Sequence, residues 1–310
     1  YVARGKDNLK RFIQAGLLTT NNINFSSVTD RSSIRMSFSH TYQRGIIPNT
    51  KLNIADFNIN AGYDLTSKLH LDGGLNYNRQ FTPNIPDVLY GPNSVIYNIT
   101  IWTGADWSVD DMKNYWQPGK VGTQSIFAEY QRYHNPYFMS YEWLRGHYKT
   151  DVYGNVGLTY KFNSHLEALL RANVSTYDVL RTEKLPYSAH PYGREENRGD
   201  YREDKRTMFD NNIEGIVKYK GKIGKDFSID GLAGINARNF TYNSTFVTTD
   251  YLNVPGLYNF SNSLNAVHAY NFTADMLVLS AYYSVGIDFK NYLSVAATGR
   301  YDKHSSLPVK

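Results

Sequence analysis

The sequence predicts an all-β fold, a sector of an antiparallel transmembrane β-barrel in which about ten long strands form five hairpins. Three observations predict it: a period-two alternation of apolar and polar residues, the length of the alternating stretches, and a regular succession of short and long connections. Of the 310 residues, 41% are hydrophobic and 20% are charged, which is the composition of neither a disordered chain nor a bundle of membrane helices. The mean hydropathy is −0.50. Strands that alternate between two faces are compatible with that value.

Alternating stretches recur along the whole chain. The clearest runs from Leu277 to Phe289, where every second residue is apolar. Similar stretches cover 34–38, 57–63, 69–77, 152–162, 166–174 and 209–219. This pattern indicates half-buried antiparallel strands. Several stretches exceed the roughly five or six residues of a strand in a soluble protein and reach the roughly 9–11 that a tilted membrane strand needs. Their length therefore favours a bilayer over a soluble sandwich.

The connections alternate in length. Short turns are predicted near Thr29–Ser32, Asp64–Lys68, Asn163–His165, Lys220–Asp226 and Asp288–Asn291. The longer connections are predicted at Gly45–Lys51, Phe81–Gly146, Arg181–Arg206 and roughly Thr241–Asp275. Short turns on one rim and long loops on the other are typical of bacterial outer-membrane barrels.

Aromatic residues precede the short turns on the apolar side of the strands. They are Tyr63, Tyr160, Phe162, Tyr219 and Phe289. Rings at one common depth predict an interfacial girdle. The ordinary preference of Tyr for strands is the alternative explanation.

An open sheet of ten strands would leave unpaired backbone groups in lipid at its two edges. Either the strands close into a small barrel, or the chain is a sector of a larger one. The loops are too large for a ten-stranded barrel, and the sequence begins at Tyr1 without a start Met or a signal-peptide pattern. We therefore expect that residues 1–310 are a partial barrel domain, cut from a longer protein at both ends.

Several classes of function find no support in the sequence. Without Cys there are no disulfides, thiolate metal sites or Cys nucleophiles. The net charge of +5 is not clustered as a nucleic-acid groove requires, so we expect no nucleic acid partner. The eight His are scattered, and no metalloprotease, nucleophile-elbow or phosphate-loop motif occurs. We expect neither catalysis nor a cofactor or metal.

The predicted loop Phe81–Gly146 holds all four Trp of the chain. Loops of this length are usually functional or disordered, and this one is too aromatic to be disordered. Its exposed rings would stack on sugar rings or peptide side chains. The candidate ligand-binding residues are Trp102, Trp107, Trp116, Trp143, Tyr90, Tyr97 and Tyr115. The alternative is that these rings form the loop's own small core, and we expect some rings to serve each purpose.

Two charged segments offer weaker candidates. Ser108 followed by Asp111 predicts a capped helix reaching about Trp116, and Asp106, Asp110 and Asp111 have the oxygen ligands that Ca²⁺ prefers. A plain helix start explains the same acids. In the loop Arg181–Arg206, four arginines alternate with acids, which fits recognition of an anion or, more simply, a self-paired solvated loop. They are Arg194, Arg198, Arg202 and Arg206, interleaved with Glu195, Glu196, Glu203 and Asp204.

Three motifs together resemble the SusC/RagA family of TonB-dependent outer-membrane transporters. They are Gly45-Ile46-Ile47-Pro48-Asn49, Asn135-Pro136-Tyr137-Phe138, and Ala297-Thr298-Gly299-Arg300-Tyr301-Asp302 followed by Ser305-Ser306-Leu307-Pro308. They occur in family order at compatible strand positions, and the resemblance covers essentially the whole chain. Lys303-His304 departs from the family pattern, where a Trp-containing sequence is expected.

The resemblance implies a barrel of about 22 strands with a plugged lumen, of which this chain is the middle part. It implies a location in the outer membrane of a Gram-negative bacterium, in contact with its lipid and with the loops extracellular. The implied function is import of oligosaccharides, or secondly peptides, beneath a SusD-like surface lipoprotein. The TonB complex would supply energy through a plug and a TonB box, neither of which we recognise in these residues.

Two other functions remain compatible with the sequence. A siderophore or cobalamin receptor would share the barrel but would need no lipoprotein lid. A secreted β-sandwich adhesin or binding protein would need its apolar stripes to face a closed core. Residues such as Leu279, Tyr283 and Ile287 would then be buried against a second sheet.

Overall fold

The structure, a computed structural model, describes residues 2–101, 103–128, 133–191, 194, 196–290 and 292–307. Trp102, Glu195, Asn291 and Pro308 therefore lie outside the described residues. Within these ranges there are three short α-helices, α1 (Asn8–Phe12), α2 (Val95–Thr100) and α3 (Pro136–Tyr141), and two 3-10 turns, Val109–Lys113 and Phe260–Asn262. None of the described helices is long and apolar enough to cross a membrane.

Twelve strands make up most of the described chain. They are β1 (Leu17–Val28), β2 (Ser32–Arg44), β3 (Lys51–Asp64), β4 (Leu69–Thr82), β5 (Trp116–Gln117), β6 (Lys120–Gln124), β7 (Leu144–Lys161), β8 (Leu166–Leu185), β9 (Asp200–Ile223), β10 (Phe227–Thr248), β11 (His268–Phe289) and β12 (Leu293–His304). All except β5 and β6 belong to one sheet, in the order β1-β2-β3-β4-β7-β8-β9-β10-β11-β12. Every pair in it is antiparallel.

The five predicted hairpins are confirmed. Short connections lie at 29–31, 65–68, 162–165, 224–226 and 290–292, and the longer ones at 45–50, 83–143, 186–199 and 249–267. Because consecutive strands run in opposite directions, the short connections share one rim of the sheet and the long ones share the other. We call the latter the long-loop rim.

The strands reach further into the long-loop rim than the sequence predicted. The predicted loop Arg181–Arg206 is wrong at both ends, because β8 continues to Leu185 and β9 begins at Asp200. The apolar alternation stops there, but cross-strand pairs between charged side chains replace it, such as the ion pair between Arg202 Nη1 and Glu183 at 3.0 Å. The connection between β10 and β11 is shortened in the same way, to 249–267.

The sheet has one apolar and one polar face, as the alternation predicted. Register keeps the faces consistent across strands: Leu71 pairs with Leu158, and Leu158 pairs with Leu170. The apolar face is open, with Leu279, Tyr283 and Ile287 exposed to 44%, 52% and 41%. The only other sheet among the described residues is the two-stranded β5–β6. The closed core that a β-sandwich requires is therefore not present beneath these side chains.

The aromatic residues near the short turns lie on the exposed apolar face. Tyr63, Tyr160, Phe162 and Tyr219 are 39–47% exposed. The rings of Tyr160 and Phe162 contact edge to face, with centroids 4.8 Å apart. This is the arrangement that an interfacial girdle requires.

Two consecutive tyrosines of β11 cover glycines of the neighbouring strands. Tyr282 lies over its register partner Gly234 on the polar face, and Tyr283 lies over Gly299 on the apolar face. A Cβ added at either glycine would overlap the tyrosine ring. Aromatic cover of glycine compensates for the packing that a glycine in a strand lacks.

Candidate functional site at the long-loop rim

The buried hydrophobic core of the chain lies at the long-loop rim, outside the sheet faces. We call residues 83–143, together with α1, the rim domain. Its core contains the fully buried side chains of Val95, Val109 and Phe138, and Phe12 of α1 contributes a ring 5.2 Å from that of Tyr137. The described part of the connection 83–143 is therefore a folded unit at the long-loop rim.

Asn135 organises the centre of the rim domain. Its Oδ1 accepts hydrogen bonds from the backbone N–H groups of Tyr137 and Phe138, at 2.9 and 3.2 Å, and so caps α3. Pro136 occupies the first helical position, where a missing N–H costs nothing. The Nδ2 of Asn135 donates to the backbone oxygen of Met112 at 3.0 Å. The motif Asn135-Pro136-Tyr137-Phe138 is thus a helix start whose two aromatic residues enter the core.

Buried Gln124 joins three segments of the long-loop rim. Its Oε1 accepts from the backbone N–H of Asn135 at 2.9 Å, and its Nε2 donates to the backbone oxygen of Ser188 at 2.6 Å. Ser188 belongs to the connection between β8 and β9, so this one side chain links that connection to the rim domain. Buried amides are stable only with such partners, so the network fixes how the segments lie together.

The first sequence motif, which ends at Asn49, contacts α3, the helix that begins in the second motif. Asn49 has a φ of 60°, in the left-handed region that Asn tolerates. Its Nδ2 donates to the backbone oxygen of Ser140 in α3 at 2.9 Å, and Asn84 Nδ2 donates to the same oxygen at 3.0 Å. Ile47 is buried in the rim-domain core. The motif residues therefore attach the β2–β3 connection to the rim domain.

The predicted aromatic residues divide between core and surface. Trp143 and Trp107 are buried, with 1% and 7% exposure, so their rings are not available to a ligand in this conformation. Trp116 is partly buried, with its ring 5.6 Å from Phe138. Tyr90 is 84% exposed. Trp102 lies outside the described residues.

Two further predicted tyrosines are partly accessible. Tyr97 is half-buried, and its ring lies 5.2 Å from that of Tyr90 in an edge-to-face contact. The hydroxyl of Tyr115 donates to Glu142 at 2.8 Å. Burial, with Glu142 beside it, raises the pKa of Tyr115 to about 12, so the ring presents a neutral hydroxyl. Ligand binding by these residues stays a prediction.

His134 is fully buried beside Trp143, with ring centroids 5.3 Å apart. Its Nε2 accepts a hydrogen bond from the backbone N–H of His190 at 2.8 Å, which requires an unprotonated nitrogen. Burial lowers the pKa of His134 to about 3, and the positive charge of a neighbouring His190 would act in the same direction. His134 is therefore a neutral structural residue.

The acidic segment binds cations of the chain itself. Asp110 pairs with Arg11 at 2.6 Å and with Lys113 at 2.9 Å, and Asp111 pairs with Arg4 at 2.6 Å. The described residues contain no group of three or more side chains suited to a metal ion. The predicted helix reaching Trp116 is wrong: a 3-10 turn ends at Lys113.

The predicted helix does not form because the side chain of Ser108 does not cap it. The hydroxyl of Ser108 instead accepts a hydrogen bond from Arg11 at 3.0 Å. The acids of this segment therefore hold α1 and the residues before it against the rest of the rim domain.

The arginines of the β8–β9 region are also mostly self-paired. Arg194 contacts Asp200 and Asp250, each at 3.0 Å, and its guanidinium lies 3.8 Å from the ring centroid of Tyr251. Arg206 makes two hydrogen bonds to Asp204, at 2.9 and 2.7 Å. These contacts join the connections 186–199 and 249–267 at the rim.

The polar face below the rim carries a network of charged side chains. Glu214 accepts from both Arg171 and the hydroxyl of Tyr282, and Arg238 pairs with Asp210 at 2.6 Å. Arg300, from the third motif, donates to Asp302 at 2.9 Å. The described polar face is hydrophilic over several strands, as a water-filled interior would require.

A cavity of about 470 Å³ lies where the polar face meets the rim domain. Its lining consists of Ile85, Arg145, Gly146, His147, Arg181, Thr182, Glu183, Arg202, Asp204 and Phe246. We call it the rim cavity. Sequence reasoning missed it, although Arg145-x-His147, Arg181-x-Glu183 and Arg202-x-Asp204 share the spacing of one strand face. Only the strand register shows that these three pairs are neighbours.

Glu183 orders the wall of the rim cavity. Its carboxylate accepts from Trp143 Nε1 at 2.7 Å, Arg145 Nε at 2.9 Å and Arg202 Nη1 at 3.0 Å. The guanidinium of Arg145 also lies 4.5 Å from the ring centroid of Trp143. Buried Trp143 thus holds an acid and an arginine in place at the cavity.

The strand order, the two faces and the loop asymmetry define the fold as a sector of an antiparallel β-barrel wall. Among solved structures, the chain is similar to the RagAB peptide transporter, with a TM-score of 0.78 and 14% identity over 97% of this chain and 33% of that one. It is also similar to FpvA of P. aeruginosa, with a TM-score of 0.57 and 8% identity over 94% of this chain and 36% of that one.

A further similarity is to the outer membrane transporter YddB from Escherichia coli, with a TM-score of 0.52 and 10% identity over 94% of this chain and 34% of that one. The chain spans about a third of the length of the structures it matches. No protein-family model and no curated protein sequence matches it. The fold that the SusC/RagA resemblance implied is therefore confirmed by structure rather than by sequence similarity.

Proposed function

We propose that this chain is part of the wall of an outer-membrane, TonB-dependent importer of the SusC/RagA type, which takes up oligosaccharides or peptides. The observation that carries the proposal is the ten-stranded up-and-down sheet with an exposed apolar face and a charged polar face. In such a wall the apolar face contacts lipid and the polar face lines the lumen. The similarity to the RagAB peptide transporter supports this type over other barrels.

The rim domain is the part of the chain best placed to meet the nutrient and a SusD-like lipoprotein lid. It is folded, and hydrogen bonds of Asn49, Asn84 and Gln124 attach it to the β2–β3 and β8–β9 connections. Exposed Tyr90 and half-buried Tyr97 and Tyr115 offer ring faces for stacking on sugars or peptide side chains. Nutrient held between the lid and these rings would then pass along the polar face when the plug is remodelled by TonB.

The experiment uses the intact protein in its own host. We expect it in the outer-membrane fraction, soluble only with detergent, and we expect affinity purification to recover a surface lipoprotein. Deletion of its gene should abolish growth on the nutrient it imports, and loss of TonB should have the same effect. Recovery of the protein in the aqueous fraction without detergent would contradict the proposal.

A siderophore receptor is the second candidate, and the similarity to FpvA, in a structure with bound pyoverdines, favours it over an unrelated class. The two candidate functions differ in whether a lipoprotein lid is required. Purification without any lipoprotein, together with growth loss only under iron limitation, would shift the assignment to the siderophore receptor.

A further inference from the structure

The rim cavity is lined by an excess of guanidinium groups. Asp204 is already held by Arg206, which makes two hydrogen bonds to it. The remaining carboxylate, Glu183, faces Arg145 and Arg202. Arg181, also in the lining, is exposed and has no ion-pair partner among the described residues. With Arg206, four guanidinium groups therefore meet two carboxylates at the cavity, which leaves a net positive charge.

The arginines are arranged to accept an anion with little reorganisation. Arg145 and Arg202 are fixed by Glu183 at 2.9 and 3.0 Å, and their side chains are only 20% and 34% exposed. Charged groups that are already positioned and partly desolvated bind a counter-charge more strongly than flexible surface groups do. Arg181 lies on the same face of β8 as Glu183, opposite Asp204 in the strand register, and its guanidinium makes no ion pair among the described residues.

Part of the cavity wall is apolar. It is formed by Phe246 of β10 and Ile85 from the start of the rim domain, and Gly146, His147 and Thr182 complete the lining. Ile85 is held there because its backbone N–H donates to the backbone oxygen of Arg145 at 2.7 Å. The volume of about 470 Å³ lies within the range of small-molecule sites. The cavity therefore combines an anion-binding wall with a wall suited to a carbon skeleton.

We propose that the rim cavity binds a carboxylate of the imported nutrient, with the planar acid on Arg181 and the attached carbon skeleton against Phe246 and Ile85. A guanidinium fork matches a planar carboxylate through two parallel hydrogen bonds. The inference rests on the proposed function, since it assigns the cavity to the substrate of that importer. The same acid chemistry occurs at the C-terminus of a peptide and in a uronic acid of an oligosaccharide.

The test measures binding to the intact protein, purified in detergent, by isothermal titration calorimetry with two matched pairs of probes. One pair is an N-acetylated tripeptide with a free C-terminus and the same peptide with an amidated C-terminus. The other is a galacturonic acid trisaccharide and its methyl ester. We expect the acid member of at least one pair to bind roughly tenfold more tightly than its neutral twin, which is the effect of one charge-assisted hydrogen bond. The pair that shows this preference identifies the source of the acid.

Arg181→Gln is expected to remove the preference for the acid and to leave the neutral twin unaffected. Arg181→Lys should restore part of it, because it keeps the charge but loses the fork. Arg31→Gln, in a short turn at the opposite rim, is the matched control and should retain the full preference. The preference should also weaken between low and high salt.

Equal binding of both twins to the wild-type protein, absence of binding by either acid probe, or an unchanged preference in Arg181→Gln would overturn the proposal. These results are distinct from failure of the proposed function. A protein that binds the acid probes but supports no nutrient uptake in cells would overturn the importer and leave the cavity assignment intact. Normal uptake by a protein that binds both twins equally would overturn the cavity assignment and leave the importer intact.

Discussion

The sheet and the rim domain use the same apolar residue types in opposite ways. In the rim domain, Phe138 and Trp143 are buried, and polar side chains such as Asn135 are buried with them and hydrogen-bonded. In the sheet, Ile235 and Leu279 are exposed to 69% and 44%. The rim domain is therefore built like a small water-soluble protein, whereas the sheet leaves its apolar side chains exposed, as the proposed location in lipid requires. Hydrophobicity alone does not distinguish these two designs; burial does.

The largest effect is expected from opening the rim-domain core. Phe138→Ala removes a fully buried ring and should destabilise the rim domain by about 3–5 kcal/mol, since a cavity replaces the ring. Hydrogen exchange of the backbone amides in 83–143 is the measurement. Tyr90→Ala, at an 84% exposed position, is the control and should change protection little. Equal protection in the two variants would mean that the rim domain has no such core.

The second-largest effect is expected from a charge placed on the apolar face of the sheet. Ile235→Arg should destabilise the protein in lipid by about 2–4 kcal/mol, because the guanidinium would enter hydrocarbon. Unfolding in lipid vesicles by denaturant measures it. Thr298→Arg, an exposed position on the polar face, should be nearly neutral. If Ile235→Arg were neutral as well, the apolar face would be in water.

Loss of the α3 cap should have a smaller effect, confined to the rim domain. Asn135→Ala removes the two capping bonds to Tyr137 and Phe138 and should cost about 1–2 kcal/mol of local stability. The amides of α3 should exchange faster, while those of the sheet should not. Asn114→Ala, at an exposed position, is the matched control. A change spread evenly over the sheet would contradict the separation of the two regions.

The smallest expected effect near neutral pH is a pH dependence of the rim domain. The pKa of buried His134 is lowered from 6.5 to about 3, so the unfolded state binds a proton between these values and the folded state does not. The stability of the rim domain should therefore fall as pH decreases from about 6.5 towards 3, and His134 should contribute no slope above that window. His134→Gln should flatten this slope, and His165→Gln, at a short turn, should keep it. Local hydrogen exchange against pH is the measurement.

Much of the sheet was predictable because period-two alternation is a local signal. The stretch Leu277–Phe289 alone indicates a strand, its faces and its length. The rim domain was predictable only as a long aromatic loop. Whether Trp143 or Tyr90 is buried depends on contacts with residues far away in sequence, such as Glu183. The rim cavity needs the register of three strands, which no local pattern contains.

The tyrosine that covers Gly234 has a mechanical consequence. Tyr282 starts on β11, crosses β10 above the glycine and ends with its hydroxyl on Glu214 of β9. One side chain therefore braces three strands at right angles to their length. The brace depends on the absence of a single methyl group at residue 234. Alanine there would lift the ring and leave Glu214 with Arg171 alone, and so would leave the wall easier to bend sideways.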